Sequence, residues 1–244
     1  MNSKDILIPP IIHQIWSNKN RPIPNVFQIL AKTWKENYPN WKYCFWNEKR
    51  MNLFVQKYYP QYWETYQRFP YNIQRCDTFR YLILYKIGGM YVDLDYESLN
   101  SIEPLIKGKS CCFSEEPITH KGFFEYTMQH YFNNAMILCV PKHPFIKKII
   151  HAIFSNENNR YDIHRHDYVL KTTGPWKIMN LYYHLSEQEK QDIYLIPKEY
   201  VTPFDIYQTR RFLEQGERSE ELETCLKDAY AVHYFFSSWS KEIK

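Results

Sequence analysis

CDTFRYLILYKIGGMYVDLDYE, residues 76–97, decides how the chain is to be read. Its first part has a helical period: Ile73, Cys76, Phe79, Ile83 and Ile87 recur on one side of a helix that starts near Tyr71. That helix is expected to run for about 17 residues and to stop at Gly88, because glycine takes the backbone conformation that ends helices. Met90–Val92 then reads as a short apolar strand that delivers two carboxylates, Asp93 and Asp95. In a strand, positions i and i+2 point to the same side. Two carboxylates so close repel each other, and burying them is costly. A divalent cation removes that penalty, and hard oxygen ligands suit Mg²⁺ or Mn²⁺, which keep positions open for phosphate oxygens. Such an ion neutralises a leaving diphosphate. A bare Asp-x-Asp is more often an exposed acidic turn. Here the adjacent Gly88-Gly89 and the apolar strand favour the metal reading.

Outward from this segment the chain alternates. Ile11–Trp16 reads as a strand and 26–37 as a helix capped by Asn25, with Val26, Ile29, Leu30 and Thr33 at helical spacing. Trp41–Trp46 is a second strand, and Asn47 caps a helix over 48–58. Later strands are expected at 109–114, 135–140, 193–196 and 229–236, with helices at 144–154 and 175–185. This alternation is the pattern of an α/β fold with a largely parallel sheet. Asp77 and Arg80 lie one helical turn apart. They read either as a surface ion pair worth a few tenths of a kcal/mol or as ligands of a sugar and a diphosphate, for which a planar fork of donors is suited.

Composition narrows the function classes. The 244 residues suit a single domain, and 44% hydrophobic content allows a sizeable core. The 31 basic and 27 acidic residues leave a net charge of +4 without long runs of one sign, which argues against nucleic acid. None of the six cysteines has the C-x-x-C spacing of a zinc site, so free thiols in a reducing compartment are expected. No apolar stretch approaches the roughly 20 residues of a membrane span, and the N-terminus does not read as a signal peptide, so a cytoplasmic location is expected.

The same segment resembles the signature of the DXD sugar transferases, glycosyltransferase family 32, which includes yeast Golgi mannosyltransferases; the glucosyltransferase domains of large clostridial toxins share it. That signature, D-x-x-R-Y-x-x-L-x-x-x-G-G-x-Y-x-D-x-D after a small residue, is met by Asp77, Arg80, Tyr81, Leu84, Gly88, Gly89, Tyr91, Asp93 and Asp95, with Cys76 in place of the small residue. IPPIIHQIW (8–16), NNAMILCVPKHP (133–144), TTGPW (172–176) and AVHYFFSSW (231–239) resemble further family segments in the same order, so the resemblance spans about residues 9–240.

The resemblance implies one GT-A type domain over 1–244, a nucleotide-binding sandwich with a mostly parallel central sheet. It implies a retaining transfer of a hexose from a UDP- or GDP-linked donor to a hydroxyl acceptor such as a glycan, dependent on Mn²⁺ or Mg²⁺. The residues it brings to the chemistry are Asp77, Arg80, Asp93 and Asp95. Donor contacts are expected from Gln14, Ile15, Trp16, Asp77, Arg80, Tyr91, Asn134, Gly174, Ser238 and Trp239, with Trp16 against the base. Asp93, Asp95 and His233 are the expected metal ligands, and Ser237–Trp239 is expected to fold over the diphosphate. His13 reads instead as a satisfied core histidine. Two rival readings are a non-catalytic sugar-binding domain of the same fold and a haloacid-dehalogenase-type phosphatase. The second lacks the later acidic pair that such an enzyme needs.

Overall fold

The computed structural model describes residues 5–17, 21–121, 129–155 and 164–236. In chain order the elements are β1 (Ile11–Ile15), α1 (Asn25–Asn37), β2 (Lys42–Trp46), α2 (Glu48–Tyr58), α3 (Trp63–Arg68), α4 (Asn72–Ile87), β3 (Gly89–Val92) and β4 (Tyr96–Ser98). Then come β5 (Cys111–Glu115), β6 (Phe132–Cys139), α5 (Pro144–Ser155), α6 (Arg165–Thr172), α7 (Pro175–Tyr183), α8 (Glu187–Gln191) and β7 (Ile193–Ile196). The described chain closes with α9 (Lys198–Val201), α10 (Ile206–Glu214), α11 (Glu220–Leu226) and β8 (Ala231–His233).

Six strands form one sheet in the order β2-β1-β3-β6-β5-β7. β1 runs parallel to β2 and β3, and β5 parallel to β7, while β6 runs antiparallel to β3 and β5. The expected mixed α/β architecture with a mostly parallel sheet is present. β3 and β6 are buried along their whole length, as central strands are when both faces of a sheet are covered. Successive residues feed opposite layers. Tyr91, Ile137 and Cys139 pack under α4 and α5, and Met90, Val92, Met136 and Leu138 pack on the other face with Trp34 and Tyr38. A separate two-stranded ribbon pairs β4 with β8, antiparallel.

Two helix readings need correction. Pro24, not Asn25, is the cap of α1, and Asn25 is the first helical residue. The buried stripe of α1 is Phe27, Leu30, Ala31 and Trp34, whereas Val26 and Ile29 face outward. Trp34 sets that rotation: it is fully buried, and its indole N–H donates to the Tyr96 carbonyl at 2.9 Å. α4 carries no single apolar stripe. Every residue from Gln74 to Leu84 except Arg75 is buried, because the helix lies between the sheet and α2, α3, α5 and α6. Its polar residues are therefore forced inside. By contrast, Asn47 caps α2 as expected, its side chain accepting from the Arg50 N–H at 3.0 Å.

The turn from α4 into β3 is set by two glycines. Gly88 and Gly89 have φ of +74° and +103°, a region that side chains disfavour. A Cβ on Gly89 would sit 2.6 Å from the Ile11 carbonyl oxygen, and one on Gly88 would sit 2.7 Å from Pro141 Cδ. His13 clamps the same turn. Its Nε2–H donates to the Gly88 carbonyl at 3.0 Å, while Nδ1 accepts from the Trp46 indole at 3.1 Å. This neutral, doubly satisfied ring is the core histidine expected, and burial pulls its pKa down to about 4.

Gly89→Ala is expected to destabilise the fold by about 2–4 kcal/mol in chemical denaturation, since it adds both backbone strain and a collision with β1. Gly108→Ala, at φ +66° but with open space around the added carbon, is expected to cost about 1 kcal/mol. Equal midpoints for the two variants would show that the close approach of β3 to β1 does not matter.

Candidate active site

β3 ends at Val92, so the two acidic residues lie beyond the strand. The Asp93 N–H still bonds the Ala135 carbonyl at 2.8 Å, and the Tyr96 N–H then bonds the Asp93 carbonyl at 3.2 Å. A turn, and not strand alternation, therefore brings Asp93 and Asp95 together. β8 supplies a third group, because Tyr96 pairs with His233 across the ribbon and the Tyr234 N–H bonds the Asp95 carbonyl at 3.0 Å. One ligand atom from each of Asp93, Asp95 and His233 lies within 4.8 Å of the others.

His233 Nε2 is 3.3 Å from Asp95 Oδ1, and the ring stacks on Tyr96 at 4.3 Å. Octahedral bonds of about 2.1 Å place neighbouring ligands about 3 Å apart, so this pair has the spacing of two ligands on one ion. The two carboxylates suit a hard divalent ion such as Mn²⁺ or Mg²⁺, and the imidazole favours the transition metal of the two. Charge is uneven across it. Burial and the neighbouring Asp95 push Asp93 upward, against the pull of Arg80. Burial also acts against Asp95, but His233 and the Phe236 N–H, 3.0 Å from Asp95 Oδ2, outweigh it and hold that carboxyl low. Burial opposes a charge on His233, and the Asp95 carboxylate overcomes it, so the imidazole pKa is raised.

Behind the acidic turn lies a buried network. The side chains of Arg80 and Asp77 are 3% and 5% exposed and 2.9 Å apart, which excludes a surface ion pair. Arg80 also donates to the Asn134 carbonyl at 2.6 Å, reaches Asp93 Oδ1 at 3.4 Å and lies over the Tyr91 ring at 4.5 Å. Asp77 accepts from Asn134 Nδ2 at 3.0 Å and from the Thr173 hydroxyl at 2.9 Å. The Tyr91 hydroxyl donates to Asp93.

A cavity gathers most of the expected site. Ile15, Trp16, Asp77, Arg80, Tyr91, Asn134 and Gly174 line it together with Asp93, Asp95 and His233. Trp16 presents its ring there while its indole N–H donates to the Arg21 carbonyl at 2.9 Å. Gln14 does not line the cavity. It is fully buried behind it, donating to the Asp93 carbonyl at 3.3 Å and accepting from the Tyr43 hydroxyl at 2.7 Å. Ser238 and Trp239, with the rest of the expected closing segment, lie outside the described residues. Glu116, Asn133 and Phe235 line the cavity without having been singled out from the sequence. Asn133 adjoins Asn134 in the quoted NNAM stretch. Strand alternation would have turned one of the two away, but Asn133 Oδ1 accepts from the Ala135 N–H at 2.9 Å, a local bond that competes with the ladder.

The profile of the family described as "Glycosyltransferase sugar-binding region containing DXD motif" matches residues 24–111. The chain is 31% identical over 172 residues to "Inositol phosphoceramide mannosyltransferase 1" of Schizosaccharomyces pombe, which covers 69% of this chain and 49% of that protein. It thus spans about half the length of that relative. It is 26% identical over 246 residues to "Uncharacterized glycosyltransferase L373" of Acanthamoeba polyphaga mimivirus, covering 98% of this chain and 86% of that protein. The structure of the apo-form glycosyltransferase GlyE of Streptococcus pneumoniae superposes with a TM-score of 0.51 at 12% identity, over 94% of this chain and 55% of that one. The fold is that of the GT-A glycosyltransferases.

Arg80→Ala leaves Asp77 buried without its cation, and breaking such a pair costs about 3–5 kcal/mol. A loss of unfolding free energy of that size, seen as a lower denaturation midpoint, is expected. An unchanged midpoint in the folded variant would return the pair to the surface.

Proposed function

Residues 24–111 belong to the DXD-containing sugar-binding family of glycosyltransferases, and from that premise we propose that the chain transfers a hexose from a nucleotide sugar to a hydroxyl acceptor with help from a divalent cation. The observation that carries this reading is the convergence of Asp93, Asp95 and His233 at one wall of the cavity. A Mn²⁺ or Mg²⁺ ion held by these three would offset the charge of the donor diphosphate.

The chain's own side chains position the rest. Asp77 keeps one of its roughly four lone-pair positions free after its bonds to Arg80, Asn134 and Thr173, so it takes a hydroxyl of the donor sugar. Arg80 fixes Asp77 and Asp93 relative to each other. Trp16 stacks on the base of a UDP- or GDP-linked donor. The acceptor oxygen forms a bond to the anomeric carbon as the carbon–phosphate oxygen bond breaks. The bonding electrons go to the leaving diphosphate, which takes the acceptor proton. Attack on the face the diphosphate leaves retains configuration and needs placement and charge stabilisation rather than a nucleophile from the protein. The Schizosaccharomyces pombe relative is named for mannosyl transfer to inositol phosphoceramide. That likeness makes mannose the first donor sugar to try and a glycan or lipid-linked hydroxyl the first acceptor. No helix among the described residues is long and apolar enough to cross a membrane. The six free thiols favour a reducing compartment such as the cytoplasm.

A donor screen with Mn²⁺, covering UDP-glucose, UDP-galactose, UDP-N-acetylhexosamine and GDP-mannose, is expected to reveal hydrolysis of at least one. Asp95→Ala is expected to lower that rate by about 100-fold or more. Full wild-type activity in excess chelator would overturn the metal requirement.

Trp16→Ala is expected to weaken Mn²⁺-dependent binding of the matching nucleoside diphosphate by about 1–3 kcal/mol, the scale of one base–aromatic stack. Calorimetry that returns the wild-type dissociation constant would place the base elsewhere.

A further inference from the structure

One wall of the cavity has no part in the donor scheme. Glu116 follows β5, and its side chain is 12% exposed. Oε1 accepts from Asn133 Nδ2 at 2.6 Å. Asn133 is itself locked, its Oδ1 accepting from the Ser114 hydroxyl at 2.8 Å and the Ala135 N–H at 2.9 Å. Glu116 Oε2 lies 2.8 Å from His120 Nδ1. The tautomer of that ring is fixed from outside, because the Ile206 N–H donates to His120 Nε2 at 3.0 Å. Nε2 therefore carries no proton, and Nδ1–H donates to Glu116. His120 thus meets Glu116 as a hydrogen-bond donor rather than as an ion-pair partner. No Lys or Arg among the described side chains pairs with Glu116, and two of the roughly four lone-pair positions of a carboxylate remain for a ligand.

Phe235 stands beside it. Its φ of +49° is in the left-handed region, where a bulky residue is an outlier held by its surroundings and where such strain gathers at ligand sites. Its ring lies 4.1 Å from the ring of the metal-site His233 and meets His120 edge-on at 4.9 Å. A carboxylate with acceptor positions left over, close to an aromatic ring, suits a polyhydroxylated ring, whose O–H groups donate to the oxygens while its C–H face covers the aromatic ring. An anionic group is repelled there.

We propose that Glu116 and Phe235 form the acceptor subsite, in which a polyhydroxylated ring donates a hydroxyl to Glu116 and packs against Phe235. Glu116 orients that hydroxyl and does not take its proton. This rests on the transferase reading above.

The test uses the full chain, Mn²⁺ and the donor found in the screen, with myo-inositol and methyl α-D-mannopyranoside as probe rings. Nucleoside diphosphate release with and without each ring gives the ratio of transfer to hydrolysis. At least one ring is expected to stimulate release by the wild type. Glu116→Gln removes the charge and one acceptor oxygen, and is expected to lower the ratio at least tenfold with a raised KM for the ring. Phe235→Leu is expected to lower it in the same direction. General damage to the fold depresses both reactions and leaves the ratio where it was. A ratio retained in both variants, or a wild type that hydrolyses donor but ignores both rings, overturns the subsite. A chain that neither hydrolyses any donor nor binds a Mn²⁺–nucleoside diphosphate overturns the transferase reading, and the subsite with it.

Discussion

The site depends on one buried cation. Arg80 lies almost wholly out of water on a helix that is covered on every side, and an unpaired guanidinium there would cost several kcal/mol. It is held because four partners from separate elements meet it: Asp77 on its own helix, the Asn134 carbonyl on β6, the Tyr91 ring on β3 and Asp93 just beyond β3. Removing Asp77 or Asp93 takes away compensating charge, and removing Arg80 leaves Asp77 a buried carboxylate without its cation. The register of α4 against β3 and β6 is thereby fixed, and with it the place where the acidic turn begins.

Around that hub, the parallel part of the sheet opens the cavity where open α/β sheets bind ligands, outside the carboxyl ends of strands. β1 ends at Ile15, just before Trp16, and β3 ends at Val92, just before Asp93; Ile15, Trp16 and Asp93 border the cavity. Gly88 and Gly89 let β3 start hard against β1, and His13 ties the turn to Trp46. Gln14, one position on, braces the Asp93 carbonyl from behind. The stretch 8–16 therefore serves twice, with Trp16 facing the cavity and His13 and Gln14 holding the backbone of the acidic turn.

Much of this was legible in the sequence, and the exceptions have physical reasons. The strand–helix alternation, the Gly88 stop and the Asp93–Asp95 pair could be read because local chemistry dictates them. The stripe on α4 misled because a helix buried all round has no stripe, and the same burial turned Asp77–Arg80 from a candidate surface pair into the hub. The turn that joins Asp93 to Asp95 was invisible because a strand and a turn both put i and i+2 side by side. The loop around Glu115–Tyr131 reads from sequence as a shaper of the acceptor site, but Glu116 could not be picked out within it because nothing in its neighbourhood sets it apart. Its meaning comes from Asn133, His120 and Ile206, the last of them 90 residues away by number.

Charge gives the proposed reading an order of events. Among the described residues, Asp77, Asp93, Asp95 and Glu116 face the cavity against Arg80, which leaves three negative charges among these groups when His233 is neutral and two when it is protonated. A diphosphate approaching that surface meets repulsion from the groups meant to receive it, and low-dielectric walls strengthen the effect. The raised pKa of His233 shows the protein already drawing a positive charge to the Asp95 carboxylate. A divalent ion held there would answer the same field more fully, cancelling the two negative charges of the Asp93–Asp95 wall and leaving coordination positions for phosphate oxygens, while Glu116 stays negative. The cavity would then offer phosphate oxygens a metal on one side and a hydroxyl a carboxylate on the other. On this reading cation binding precedes donor binding, and the two walls differ in charge because the two substrates do.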